Sequence, residues 1–219
     1  MAWESSSCMR RGLLCLAVIV GSFPTTLAAE DATANRTLTL PLRGRVELFR
    51  GNGEWQPVTV EQQVPAQQSA LLICDMWDRH WCPQATLRCG ELAEKMAPLV
   101  EAARAAGVLI IHAPSETMDF YSEHPARLQT LALAKTELPK PRELSDPPLP
   151  IDDSDGGCDD DPSPKMHKAW SRQHAAIRID DRDLITDDGE LVYSQLRKHG
   201  IKQLFVMGVH TNMCILGRS

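Results

Sequence analysis

A chain of 219 residues with 43% hydrophobic content carries enough apolar material for one sizeable domain and too little for two comfortable ones. Its net charge of -6 is matched by Asp152, Asp153, Asp155, Asp159, Asp160 and Asp161 alone, so the remainder is balanced. That balance argues against a nucleic-acid partner and against docking on an acidic membrane surface.

At the N-terminus, Arg10 and Arg11 precede an apolar stretch from Gly12 to Phe23, and Thr26-Leu27-Ala28 offers small residues to a signal peptidase. The stretch is about a dozen residues, too short to span a bilayer core of ~30 Å. Residues 1–28 therefore read as a signal peptide, and the mature protein as exported, periplasmic or extracellular, without a stable membrane anchor. Residues 29–65 read as an N-terminal extension. Within it, the segment from about Arg36 to Glu61 forms short strands around the turn Arg50-Gly51-Asn52-Gly53, a hairpin packed on the main domain, which occupies residues 66–219.

Ser69-Ala70-Leu71-Leu72-Ile73-Cys74 is an apolar run that ends in Asp75, as a buried parallel strand ends at the carboxyl edge of its sheet. Trp77 and Trp81 follow closely enough to wall a pocket for a planar substrate or simply to pack in the core. Leu87 to Ala106 reads as a helix with Leu92, Met96, Leu99, Val100 and Ala103 on one face, Pro98 inside it and Gly107 as C-cap. Val108 to His112 is the next strand, and His112 at its end is either a substrate contact or a hydrogen-bonded strand-end histidine. From Lys140 to Pro164 the chain is dense in Pro, Asp and Gly and reads as a surface insertion, solvated rather than calcium-binding. Asp187-Asp188-Gly189-Glu190 opens a helix that ends at Gly200.

The last strand, Leu204-Phe205-Val206-Met207, breaks at Gly208 and leads through Val209-His210-Thr211-Asn212-Met213 to Cys214. Cys214 falls near the start of the following helix, where unpaired amides and the helix dipole favour thiolate over thiol. A small buried apolar residue is the plain alternative. Once Cys8 and Cys15 leave with the leader, Cys74, Cys82, Cys89, Cys158 and Cys214 remain, an odd number, so one thiol stays free. With Cys74 in a buried strand and Cys214 reserved for chemistry, Cys82, Cys89 and Cys158 are the bridge candidates. A Cys82–Cys158 bond would tie the loop after the first strand to the acidic insertion, but spacing does not fix the connectivity.

The strand ending in Asp75, the Val108–His112 strand, the variable insertion, Gly200-Ile201 and the Gly208-Val-x-Thr-Asn-x-Cys214 motif, in that order, resemble the isochorismatase-like cysteine hydrolases, the superfamily of nicotinamidases and N-carbamoylsarcosine amidases. The resemblance covers roughly Ala70 to Ser219. It implies an α/β fold with a doubly wound parallel sheet in three α/β/α layers. Because the family continues beyond its nucleophile, it also implies that this sequence is truncated at the C-terminus. The implied reaction is attack on a small amide C–N bond through a thioester, with Asp75 as base, Cys214 as nucleophile and a lysine as the cation, without a cofactor. Backbone amides of His210 and Cys214 form the implied oxyanion hole beside a cis Val209–His210 bond.

The family's lysine has no counterpart at the matching position. Counting back from Ala175-Ala176-Ile177 reaches Ser171 or Arg172, so Arg172 is the substitute and Lys168 lies several residues too early. Asp78 and His80 have the Asp-x-His spacing of the nicotinamidase metal ligands but follow the first strand, not the second; a loop carboxylate paired with Arg79 is the preferred reading, and no metal is expected. The expected partner is a small-molecule substrate, with assembly into a homo-oligomer open. A non-catalytic relative that binds a small molecule or a partner is the second reading.

Overall fold

The computed structural model describes residues 36–140 and 158–216. The segment expected to be a signal peptide and most of the expected acidic insertion lie outside the described residues. The domain is α/β, with a four-stranded parallel sheet in the order β5 (Leu184–Ile185), β4 (Leu109–Ala113), β3 (Ser69–Cys74) and β6 (Gln203–Gly208), and a separate antiparallel hairpin of β1 (Thr37–Glu47) and β2 (Trp55–Pro65).

The hairpin pairs β1 (Thr37–Glu47) with β2 (Trp55–Pro65). Its turn is held by the Glu47 carboxylate, which accepts from the amides of Gly51 and Gly53 at 2.8 Å each. Both strands are longer than the sequence suggested, and most of their residues are exposed instead of packed on the domain. Attachment is at the base, where Leu38 joins the core and the Ala66 amide donates to the Arg36 carbonyl.

The sheet follows from period-2 alternation in β3 (Ser69–Cys74), which is buried along its whole length. Leu71 and Ile73 face α1 (Pro83–Ala106) together with Ile110 of β4 (Leu109–Ala113). Ala70, Leu72 and Cys74 face the opposite way, with Ile111, Ala113 and, from α3 (Gly189–Lys198), Val192 and Leu196. Helices thus cover both faces, compatible with three α/β/α layers.

Helix α1 begins four residues earlier than the pattern of apolar residues indicated, with Pro83 in its first turn, where a missing N–H costs nothing. Its buried face is Ala85, Cys89, Ala93, Met96 and Val100; Leu87 and Leu99 are exposed, so the expected stripe was only partly the real one. Gly107 ends the helix in the left-handed region at φ 93°. Two short elements were not anticipated, α2 (Pro125–Leu131) and β5 (Leu184–Ile185). Helix α3 starts as expected, with the Asp188 side chain accepting from the amides of Glu190 and Leu191.

The chain runs β3 to β4 to β5 outward in one direction, then returns to place β6 (Gln203–Gly208) on the other side of β3. The strand order reverses between β3 and β6, and the crevice at their carboxyl ends is where open α/β sheets bind ligands. On β6, Phe205 and Met207 pack towards α1, while Leu204 and Val206 on the other face are 44% exposed.

Candidate active site

Asp75 stands one residue past β3, 1% exposed, with a positive φ of 49°. Its amide donates to the Ala113 carbonyl and its own carbonyl accepts from Trp77 N–H, which turns the chain out of the sheet. The carboxylate accepts from the Ser115 amide at 2.8 Å and from the Cys74 thiol at 3.5 Å. The ends of β3 and β4 therefore hold the carboxylate from two sides.

Across the reversal point, Gly208 adopts φ 138°, and a Cβ there would lie 1.9 Å from the Cys74 carbonyl oxygen. Only glycine permits this approach. The next amide, Val209, donates to that same oxygen at 3.2 Å. The Val209–His210 peptide is cis, as the resemblance implies. The His210 carbonyl then accepts from the amides of Met213 and Ile215, closing a π-helical turn, Thr211–Ile215, that carries Cys214. The Cys74 thiol, which donates to Asp75, also lies 3.7 Å from the Cys214 carbonyl, so Asp75 and Cys214 flank Cys74 at the rim.

A cavity of about 110 Å³ opens beside this rim, lined on the α1 side by Trp77, His80, Arg88 and His210 among others. Cys214 does not line it; the residue is half-buried against the α3-side cluster. Trp77 stacks on Trp170 with centroids 4.2 Å apart at 11°, and its indole N–H donates to the Ser115 carbonyl. His80 lies parallel to Trp170 at 6.1 Å and edge-on to His210 at 5.2 Å. Burial, and then the neighbouring His210, hold His80 down at about 4, so it is neutral at pH 7. Its Nδ1 accepts from Cys82 N–H, which puts the neutral ring's proton on Nε2. For His210, burial lowers the pKa, the Asp75 charge opposes that shift, and Arg88 adds to it; the net direction is down.

Three expectations need correction. Arg172 does not supply the cation beside Asp75. Asp78 pins its backbone, accepting from Ser171 N–H, Ser171 Oγ and Arg172 N–H while donating to the Arg172 carbonyl. The side chain consequently emerges over the Phe120 ring, 5.4 Å from its centroid. The Lys168 Nζ donates to the Glu116 carbonyl at 2.6 Å, one residue along the chain from the Ser115 amide that holds Asp75. Asp78 itself is tied to Ser171 and Arg172 rather than to Arg79.

His112 is the third correction: it is fully buried beneath the rim and contacts protein on both ring nitrogens. Nδ1 faces Gln173 Oε1 and Nε2 faces Asp183 Oδ2, each at 3.0 Å. The Gln173 amide is oriented by donating to the Ile177 carbonyl, and Asp183 also receives Arg104 at 2.7 Å. His112 is thus a structural tie between β4, α1 and the segment before β5.

Sequence reasoning did not find Trp170, which has no periodic context, nor the part played by Gln173, whose isolated bridge to Trp77 joins two distant segments. Comparison with known proteins returned no match from family models, curated proteins or solved structures.

Proposed function

We propose that the protein is an exported cysteine hydrolase of the isochorismatase-like type, cleaving a small amide C–N bond. The observation that carries this reading is the convergence of Asp75 and the Cys214 turn on Cys74 at the point where strand order reverses. In the proposed reaction Asp75 takes the Cys214 proton, the sulfur attacks the amide carbonyl, and the amides of His210 and Cys214 receive the developing oxyanion. The amine or ammonia leaves and water hydrolyses the thioester. Lys168 takes the cation's place in this proposal, and the Trp77–Trp170 stack walls the side of the planar substrate.

A second reading, a binding protein without turnover, is favoured by one observation: Cys214 packs on the α3 side while the cavity opens on the α1 side. An assay of the protein for ammonia release on a panel of amides and carbamoyl compounds separates the two. Turnover lost in Cys214→Ser, with an acyl adduct on Cys214 trapped by mass spectrometry, supports the hydrolase. Saturable binding with equal affinity in wild type and Cys214→Ser, and no ammonia from any substrate, supports the binding protein.

A further inference from the structure

Two buried thiols on separate segments meet beside the cavity. Cys82, at the start of α1, is 0% exposed, and Cys158, where the described chain resumes within the insertion, is 5% exposed. Their sulfurs and Asp160 Oδ2 all lie within 4.8 Å of one another. Around them pack Trp81, Ala85, Ala169 and Trp170. The other three described thiols are placed elsewhere: Cys74 towards the Asp75 carboxylate, Cys89 towards the Trp77 carbonyl at 3.5 Å, and Cys214 against the α3-side cluster.

We infer that Cys82 and Cys158 close to a disulfide that clamps the aromatic wall of the cavity. In the exchange, a Cys158 thiolate attacks a small disulfide such as oxidised glutathione and expels one glutathione thiolate. The Cys82 thiolate then attacks the Cys158 sulfur of that mixed disulfide and expels the second. The two thiol protons pass to the two released thiolates, and the two electrons leave with them. The inference is independent of the hydrolase reading.

A metal ion is the competing use of the same atoms, and the surroundings disfavour it. A closed structural site takes four ligands, and among the described residues these are three. Asp160 Oδ2 already accepts from the Gln84 amide in the first turn of α1, and the neighbouring Asp159 is held by Arg88 at 2.8 Å. Both thiols now donate to Asp160 Oδ2, at 2.9 Å from Cys82 and 3.6 Å from Cys158; a disulfide needs no further ligand and leaves that carboxylate to the Gln84 amide.

The bond has a consequence for the site. Cys82 N–H orients His80, Cys82 follows Trp81, and Trp170 packs against the same cluster while stacking on Trp77. Joining Cys82 to Cys158 fixes the segment returning from the insertion against this wall.

The test uses the full chain equilibrated with oxidised glutathione, unfolded in N-ethylmaleimide and mapped by peptide mass spectrometry. The expected result is a linked Cys82–Cys158 peptide, an intact mass about 2 Da below the reduced chain, and label on Cys74, Cys89 and Cys214. Reduction should lower the melting temperature by on the order of 5–10 °C and change the near-ultraviolet circular dichroism of the tryptophans, and a Cys82→Ser/Cys158→Ser variant should show neither response. Alkylation of both sulfurs, linkage of a different pair, or a reduced chain carrying one zinc ion in native mass spectrometry would each overturn it. Should the double variant not fold, the wild-type peptide map decides alone.

Discussion

Replacing Gly208 by alanine tests the geometry on which the whole site depends. The added methyl would meet three backbone atoms of Cys74, the oxygen at 1.9 Å, the carbonyl carbon at 2.8 Å and the nitrogen at 3.0 Å. No side chain can swing aside to relieve this. Cys74 belongs to a central strand paired to β4 on one side and β6 on the other, so β6 must retreat by about 1 Å to restore ordinary contact. Retreat weakens the Val209-to-Cys74 hydrogen bond, and alanine at φ 138° is strained wherever it sits. Backbone strain of about 1–3 kcal/mol and a compromised buried hydrogen bond of about 1–3 kcal/mol together give about 2–6 kcal/mol. At about 2–4 °C per kcal/mol for a domain of this size, the melting temperature should fall by on the order of 10 °C in a calorimetric or circular-dichroism melt. Gly44→Ala is the control, since its methyl meets nothing within 4 Å. A Gly208→Ala melt within about 2 °C of wild type would refute the close approach of β6 to β3.

Other perturbations probe separate parts of the structure. Burial pushes the Cys89 thiol up to about 11, so in reducing buffer at pH 7.5 it should be alkylated on the order of 100-fold more slowly than a free small-molecule thiol, and an equal rate by mass mapping would contradict its burial. For Asp183, burial raises the pKa but hydrogen bonds from His112, Arg104 and the Asp180 amide outweigh it, and the net shift is downward. A lowered folded-state value stabilises fully above the unfolded value near 4 and is lost as pH falls through the folded value. Asp183→Asn should therefore cost on the order of 3 kcal/mol by urea denaturation at pH 7, with the difference from wild type shrinking below about pH 4; a pH-independent difference would count against the ion pair. Removing the α3 cap and its Lys135 contact with Asp188→Ala should cost about 1–2 kcal/mol, whereas an unchanged melt would mean the cap is redundant.

The parts of the fold legible in the sequence are those where local chemistry and burial agree. An uninterrupted apolar run ending in Asp75 has one reading as a strand in an open α/β sheet, and Asp188 before Gly189-Glu190 has one reading as a cap. Arg172 was misplaced because counting along a motif cannot see Asp78, 94 residues away, fastening the backbone and sending the side chain to Phe120. His112 illustrates the reverse: in a strand with period 2 it shares a face with Ile110, which packs under α1. That placement was available from the sequence, but its partners Arg104, Gln173 and Asp183 are brought together only by the fold. Helix α2, seven residues long, and strand β5, two residues long, carry too few residues for any periodicity to register.

The positive φ of Asp75 bears on how the site should be dissected. In the left-handed region an L-residue pays a steric cost that aspartate and asparagine tolerate best, and here Oδ1 is held besides by the Ser115 amide from the segment after β4. Backbone and chemistry therefore select from the same short alphabet at this position. Alanine would delete the charge, orphan the Ser115 amide and leave the turn without its preferred residue, confounding three effects in one measurement. Asparagine keeps the turn and the Oδ1 acceptor for the Ser115 amide, and it exchanges the oxygen facing the Cys74 thiol for an NH2 group, so Asp75→Asn isolates the carboxylate's charge and its capacity to take a proton more cleanly than alanine does.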